Sequence, residues 1–165
     1  MQPEIIQLPE KKLVGISRSM SFLDYQVSEL WQSFMPRRNE IENSESTDLF
    51  HVQVNPLHYN FSPEAVFEKW AALEVNAFTS IPEGMQKLII PGGRYAVFTY
   101  RGDGSDAADF FQSIFTEFLP KANLQWENRP QFEMLGEKYK KSSPDSEELI
   151  YIPIQDSNYS MDTIL

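Results

Sequence analysis

The chain carries the same order of predicted elements twice: a strand, a helix that ends at a proline, and two further strands. In the first half, residues 12–18 are rich in β-branched and apolar side chains, and the helical segment after them ends at Pro36. In the second half, residues 95–100 have the same strand character, and the next helical segment ends at Pro120. Consecutive strands without helices between them favour an α+β fold with an antiparallel sheet and both helices on one face. The repeated order therefore predicts two strand-helix-strand-strand modules that arose by internal duplication.

Each helical segment carries an apolar stripe with the spacing of one helix face. The stripes consist of Val27, Leu30, Trp31, Phe34 and Met35 in the first segment, and of Ala108, Phe111, Ile114, Phe115, Phe118 and Leu119 in the second. Ser21 and Asp24 resemble a capping box at the start of the first helix, and the second helix is predicted to begin near Ser105. The remaining strands are predicted at 49–55, 68–78, 131–135 and 148–154. If both stripes pack on one face of the sheet, the opposite face is free to form a ligand groove.

The length of 165 residues fits one compact domain, which we assign to residues 1–155. Residues 156–165 are polar and lack periodicity, so we expect a flexible C-terminal tail. The absence of Cys excludes disulfides, thiolate metal ligands and a cysteine nucleophile, and it fits a reducing compartment. Residues 1–9 are too short and too polar for a signal peptide, and no apolar run approaches the ~20 residues that cross a bilayer. We therefore predict a cytoplasmic protein that does not associate with membranes.

Charge and motif content argue against several classes of function. The formal net charge of −10 disfavours direct nucleic acid binding, because affinity for the phosphate backbone depends on Lys and Arg. Neither His51 nor His58 has a carboxylate at metal-ligand spacing, so neither a metal site nor a catalytic triad is predicted. Gly102, Asp103 and Gly104 precede a helix but lack the lysine and the spacing of a phosphate-binding loop. We expect no metal and no cofactor.

Short motifs occur in a fixed order between residues 12 and 155. They are segments 30–34 and 73–75 in the first half, and 93–98, Gly102, 130–133 and 150–154 in the second. In this order and spacing they resemble the GyrI-like domain, the effector-binding half of multidrug-responsive bacterial transcription regulators of the Rob and BmrR type. The resemblance implies two modules related by a pseudo-twofold axis, with a ligand groove between them. Such regulators also carry a DNA-reading domain, for which this chain offers too few residues, so we expect a stand-alone member that acts alone, as a homo-oligomer or through a regulator protein.

The resemblance assigns the central ligand-binding carboxylate to Glu133. In multidrug-binding relatives this carboxylate lies at the base of an aromatic pocket and meets lipophilic cations. Many relatives place a tyrosine two residues later, where this chain has Leu135, so the nearest tyrosine is Tyr139. Strand alternation separates Glu133 from Phe132, and the carboxylate points into the groove if Phe132 meets the helices. The alternative is a solvated Glu133 that pairs with a nearby lysine.

A carboxylate held among aromatic rings loses hydration, which raises its pKa and strengthens its attraction for cations. The candidate site consists of Glu133, Trp70, Glu74, Tyr95 and Tyr139. Trp70 and Glu74 share one face of strand 68–78, because side chains alternate along a strand, and Glu74 would supply a second carboxylate. Trp31 and Trp126 are expected to serve packing rather than ligand contact.

Three functions are compatible with this pattern. The first is a binding protein for lipophilic small molecules, cationic or neutral. The second is a hydrolase of reactive cyclopropanoid-type electrophiles, with Glu133 as the general base on water. The third is a gyrase-inhibitor-like protein whose acidic surface mimics DNA. The residues alone do not separate the first two, since both need one buried carboxylate in an aromatic slot.

Overall fold

A computed structural model describes residues 2–156, which build an eight-stranded sheet with helices packed on one face. The strands are β1 (Glu4–Leu8), β2 (Lys11–Met20), β3 (Leu49–Val54), β4 (Phe67–Val75), β5 (Gln86–Ile90), β6 (Gly93–Arg101), β7 (Gln131–Leu135) and β8 (Glu147–Pro153). They lie in the order β1-β6-β8-β7-β3-β4-β2-β5, and neighbouring strands are antiparallel. The predicted α+β class and antiparallel sheet are confirmed.

The helices follow the two apolar stripes. Helix α1 (Val27–Phe34) continues into a 3-10 turn (Met35–Glu40) that contains Pro36. Helix α2 (Ala107–Ser113) continues into a π-helical turn (Ile114–Phe118) and then into the short α3 (Leu119–Lys121). Because Pro120 has no N–H to donate and its ring crowds the carbonyl of Thr116, the wider π turn just before it avoids a clash. Within residues 2–156, no helix combines the length and the apolar character that would let it cross a membrane.

Both helical segments pack on the same face of the sheet, which we call the helix side. Leu30 and Phe34 of α1 pack with Ala71, whereas Ile114 packs with Ile150. Ala71 pairs with His51 of β3, His51 pairs with Glu133 of β7, and Glu133 pairs with Ile150. Ala71 and Ile150 therefore lie in one row across the sheet. Direct cross-strand partners share a face, so the helices also share a face, as predicted.

In the described part of the chain, the opposite face of the sheet carries no helix and is covered by side chains of the strands themselves. The buried residues there are Leu8, Leu13, Phe50, Val52, Trp70, Ala72, Ile90, Tyr95 and Phe132. Phe132 stacks on Tyr151, with ring centroids 4.4 Å apart and an interplanar angle of 10°. This helix-free side therefore has an aromatic core of its own.

The sheet order displays the two predicted modules. The first module is β2-α1-β3-β4 and the second is β6-α2-β7-β8. In the sheet they form the halves β2-β4-β3 and β6-β8-β7, which meet where β3 pairs with β7. Each half is extended at its outer strand, by β5 on β2 and by β1 on β6. The arrangement is that of a pseudo-twofold axis perpendicular to the sheet, through the β3–β7 junction.

Some local expectations differ from the structure. Strands β1 and β5 were not predicted, and the strand predicted at 68–78 ends at Val75. The capping-box prediction is wrong, because the backbone N–H of Asp24 donates to Ser21 Oγ at 3.0 Å in a turn, and α1 begins only at Val27. The tail predicted at 156–165 lies outside the described residues, apart from Asp156.

Candidate functional site

A group of polar side chains occupies the middle of the helix side, where the two modules meet. The members are His51 and Gln53 of β3, Lys69 of β4, Gln131 and Glu133 of β7, and Glu148 of β8. His51 is the direct cross-strand partner of Glu133, and Gln53 that of Gln131. The apolar clusters under α1 and α2 flank the group on either side. Polar residues at this position interrupt an otherwise apolar face, so they need a chemical explanation.

The strand register places these residues symmetrically. The central row runs Ile150–Glu133–His51–Ala71 across four strands. Lys69 lies two residues before Ala71, and Glu148 lies two residues before Ile150. The pseudo-twofold axis therefore relates His51 to Glu133 and Lys69 to Glu148. Equivalent positions in the two modules carry opposite chemistry, with bases on the first module and acids on the second.

Glu133 lies at the centre of this group. Its Oε1 is 3.7 Å from Nδ1 of His51, and its side chain is 17% exposed. The carboxyl of Glu148 is hydrogen-bonded to the carboxyl of Glu133, and burial together with the Glu133 charge raises the pKa of Glu148 to about 9. Glu148 is therefore protonated at neutral pH and donates this hydrogen bond. Two carboxyls that share one proton keep a single negative charge in the pair.

The pKa values of the two basic members of the group, His51 and Lys69, are lowered. Burial lowers the pKa of His51 well below 6.5, with a further contribution from the charge of Lys69, so the imidazole is neutral. Burial also lowers the pKa of Lys69 to about 8, although the nearby Glu133 charge opposes this shift. At neutral pH the site thus holds one ammonium and one carboxylate, and it is close to electrically neutral.

Aromatic side chains from both modules surround the group. Trp31 of α1 meets His51 edge to face, with ring centroids 5.6 Å apart. Tyr25 lies 5.9 Å from Lys69 Nζ, and burial followed by the Glu133 charge raises its pKa to about 12. Burial and the charges of Glu148 and Glu133 also raise the pKa of Tyr139. From the second module, Phe111 of α2 lines the same space.

These groups enclose a small space, which we call the helix-side cavity. It is lined by His51, Gln53, Lys69, Phe111, Gln131, Phe132, Glu133, Ile150 and Ile152, and its volume is about 10 Å³. Nε2 of His51 and Oε1 of Gln131 are buried without a hydrogen-bond partner among residues 2–156. The volume is on the scale of one water molecule, so a larger ligand must displace part of the wall. Tyr25 and Tyr139 do not line the cavity, but Tyr25 lies beside Lys69 and Tyr139 lies within the field of the Glu133 charge, and they are 45% and 37% exposed.

The five residues predicted for the site do not all lie together. Glu133 and Tyr139 are on the helix side and interact electrostatically. Trp70 and Tyr95 are in the core of the helix-free side: Trp70 Nε1 donates to Glu68 at 2.6 Å, and Tyr95 Oη donates to the Pro130 carbonyl at 2.8 Å.

Glu74 is likewise remote from Glu133 and forms an ion pair with Lys11 at 3.3 Å.

The expected side of the sheet for Glu133 is corrected as well. Phe132 packs on the helix-free side, so Glu133 faces the helices, and the groove that contains it does not lie opposite them.

A second and larger groove exists on the helix-free side, with a volume of about 390 Å³. Its lining consists of Gln2, Glu4, Ile6, Val97, Thr99, Leu149 and Tyr151. It has room for a small ligand, but Glu4 is the only acidic residue in its lining, and no lysine, arginine or histidine lines the groove. We choose the helix-side cavity as the candidate site because chemistry, rather than volume, distinguishes it.

Replacement of Glu148 by glutamine is expected to stabilise the protein at alkaline pH. The pKa of Glu148 rises from 4.5 in the unfolded chain to about 9 in the folded protein. The protonated Glu148 carboxyl therefore makes its full contribution to the free energy of unfolding below pH 4.5, and this contribution is lost as the pH rises towards 9. Glutamine keeps the neutral donor, so Glu148→Gln should raise the free energy of unfolding at pH 8 by about 1–2 kcal/mol and raise it several times less at pH 5, which is only half a pH unit above the unfolded pKa.

Urea denaturation at both pH values measures this difference. The control is Glu147→Gln. Glu147 forms ion pairs with Arg101 and Lys138, so removal of its charge should not raise the free energy of unfolding at pH 8. If Glu148→Gln and the unmodified protein are equally stable at pH 8, the folded protein does not hold the proton on this carboxyl.

Among residues 2–156, no cluster of three or more His, Cys, Asp or Glu side chains is arranged to hold a metal ion. The polar group instead has the composition of an acid–base site, with two carboxyls, one neutral imidazole and one amine.

The chain is similar to known small-molecule-binding proteins. Residues 1–155 match the family model described as the GyrI-like small molecule binding domain. The transcriptional regulator BrlR of Pseudomonas aeruginosa is 28% identical over 155 residues, which are 93% of this chain and 56% of that protein. The chain thus spans about half the length of this curated relative.

Solved structures show the same fold. The structure of SAV2435 bound to tetraphenylphosphonium matches with a TM-score of 0.70 and 14% identity, over 98% of this chain and 99% of that chain. A hydrolase from Listeria innocua matches with a TM-score of 0.58 and 11% identity, over 93% and 92% of the two chains. At these identities the likeness establishes the architecture and leaves the ligand open.

Proposed function

Because the chain belongs to the family of GyrI-like small-molecule-binding domains, we propose that it binds lipophilic cations in the helix-side cavity, with Glu133 as their anionic partner. The observation that carries this proposal is the position of Glu133. Its carboxyl lies at the junction of the modules, is 17% exposed, and accepts a hydrogen bond from Glu148. A charged group in this setting attracts an opposite charge more strongly than it would in water.

The aromatic wall suits the apolar part of such a ligand. Trp31 comes from the first module and Phe111 from the second, so a ligand above Glu133 would contact both. Each ring face adds about 0.5–2 kcal/mol of attraction for a cation, depending on desolvation. The exposed rings of Tyr25 and Tyr139 would move outward to admit the ligand, since pockets for molecules of this size usually measure roughly 300–1,000 Å³.

A structural neighbour supports a small-molecule ligand. One structural neighbour holds tetraphenylphosphonium, a permanent lipophilic cation. The regulator BrlR extends well beyond the part that matches this chain. We propose that this domain senses or sequesters its ligand in the cytoplasm, as a homo-oligomer or through a regulator protein. With a net charge of −10, it would not bind nucleic acid directly.

Binding of tetraphenylphosphonium should depend on Glu133. We expect Glu133→Gln to weaken the affinity about tenfold at pH 7, equivalent to about 1.4 kcal/mol. The loss is limited because Glu148 loses its charged neighbour, ionises more readily and replaces part of the missing charge. Quenching of tryptophan fluorescence during titration reports the affinity, since Trp31 borders the site.

The matched control is Glu4→Gln, which removes the carboxylate of the groove on the helix-free side. It should leave the affinity unchanged, whereas the double variant Glu133→Gln/Glu148→Gln should weaken it beyond the single change. A loss with Glu4→Gln and none with Glu133→Gln would move the binding site to the other face.

A hydrolase is the second candidate, favoured by the water-sized cavity beside Glu133. The unpartnered Nε2 of His51 and Oε1 of Gln131 could hold a water there, while Glu133 takes its proton as the oxygen attacks an electrophilic carbon. One structural neighbour is described as a hydrolase. Turnover of a strained cyclopropanoid electrophile that disappears in Glu133→Gln would favour this reading, and no turnover at saturating protein would leave binding alone.

A further inference from the structure

Lys69 is a buried lysine for which the binding proposal has no role. It is 7% exposed, in the middle of β4, and its side chain lines the helix-side cavity. Within residues 2–156 its Nζ makes neither a hydrogen bond nor an ion pair, and it lies 5.7 Å from the ring centroid of Phe67 and 5.9 Å from that of Tyr25. An ammonium in this position is costly, because the rings replace only part of its hydration.

The surroundings of Lys69 favour its neutral form. Burial lowers its pKa to about 8, so roughly a tenth of the molecules carry a free amine at pH 7. An exposed lysine with an ordinary pKa has only a few ten-thousandths of its amine free at that pH. A buried, partly neutral lysine beside acidic groups has the features of lysines that react with carbonyl compounds.

We propose that the Lys69 amine captures small lipophilic aldehydes and ketones as imines. The inference rests on the proposed function, because it uses the same cavity as the ligand site. Once the wall opens as it would for the cation, an aromatic or alkyl body would meet Phe111, which lines the cavity, and Trp31, which packs on His51. Other nucleophiles of the site are less suitable, since Glu148 is held protonated and His51 gives no stable product with a carbonyl.

The reaction uses only groups of the site. The lone pair of Nζ attacks the carbonyl carbon, and the proton that the nitrogen then carries in excess moves to the oxygen, which gives a carbinolamine. The proton shared by Glu133 and Glu148 transfers to the hydroxyl oxygen, the C–O bond breaks, and water leaves. The product is a protonated imine whose positive charge stays near the Glu133 carboxylate, as the charge of Lys69 did before.

Reductive trapping tests this proposal. The full chain is incubated with benzaldehyde and sodium cyanoborohydride between pH 6 and pH 10, and the benzylated lysines are located by peptide mass mapping. Lys69 should be modified about tenfold faster than the 75%-exposed Lys121 at pH 7, with a half-maximal rate near pH 8. Lys69→Arg should abolish the fast modification, and the control Lys121→Arg should leave it unchanged. Modification of Lys69 no faster than that of Lys121 overturns the proposal.

A second arm separates this inference from the binding function. Tetraphenylphosphonium should slow the modification of Lys69 but not that of Lys121 if both proposals hold. Glu133-dependent cation binding without selective modification of Lys69 would overturn the imine proposal alone. Selective modification that the cation does not slow would support the imine and count against cation binding in this cavity.

Discussion

Replacement of Gly15 by alanine is expected to lower the free energy of unfolding by about 3 kcal/mol. A Cβ at this position would lie 2.1 Å from the carbonyl oxygen of Ala71 and 2.6 Å from Cα of Ala72. Both obstacles are backbone or directly attached to it, so no side-chain rotation relieves the contact. Strand β2 would have to move away from β4, which carries Lys69 and flanks the β3–β7 junction. Urea denaturation measures the loss.

Gly136→Ala is the control for this prediction. Its Cβ would lie 3.2 Å from Oδ1 of Asp48, which is the end of a side chain that can rotate. We expect it to cost less than about 1 kcal/mol. Equal losses for the two variants would mean that the close approach of β2 to β4 does not limit the packing.

Replacement of Lys69 by methionine is expected to tighten the binding of tetraphenylphosphonium about thirtyfold at pH 7. The resident ammonium repels a second cation, and its charge partly offsets that of Glu133 although the two groups form no ion pair. At an effective dielectric constant of about 20, a like charge at roughly 6–8 Å costs about 2–3 kcal/mol, which corresponds to this factor. Methionine fills a similar volume without charge. Isothermal titration calorimetry measures the change.

The pH dependence provides an internal check on this prediction. As the pH rises from 7 to 9, Lys69 loses its proton near pH 8 and Glu148 begins to ionise near pH 9. Both changes make the cavity more negative, so the affinity of the unmodified protein for a permanent cation should increase. In Lys69→Met only the smaller contribution of Glu148 should remain. Weaker binding by Lys69→Met at pH 7 would show that the ammonium does not compete with the ligand.

The modular order of the fold was predictable because it depends on local patterns. Apolar residues at helical spacing and prolines after each stripe marked both helices. The edge strands β1 and β5 escaped prediction because Glu4–Leu8 and Gln86–Ile90 are short and largely exposed, so neither shows the apolar alternation of an inner strand. Their places in the sheet are determined by pairing with distant strands.

The candidate site was only partly predictable. The family resemblance located Glu133, but the face that it occupies depends on which side of β7 the helices cover, and a strand of five residues gives no local indication of this. Trp70 and Glu74 do lie on one face of β4, as alternation predicts, but that face is the helix-free one. Correct parity within a strand does not determine the layer on which it packs.

The basic half of the site was missed although one signal was present. Lys69 stands within the strand Phe67–Val75, whose other residues are almost all buried, and a charged residue in such a run indicates a functional position. His51 and Glu148 gave no comparable signal. Their relation to Glu133 arises from the pairing of β3 with β7 and of β7 with β8, which joins residues far apart in the chain.

The most direct test of the central claim is a crystal structure of the protein with tetraphenylphosphonium. The phosphonium centre should lie over the Glu133 carboxyl on the helix side, with its phenyl rings between Trp31 and Phe111 and with Tyr25 displaced. A cation bound instead in the groove lined by Glu4 and Tyr151, with the helix-side cavity still closed, would contradict the account.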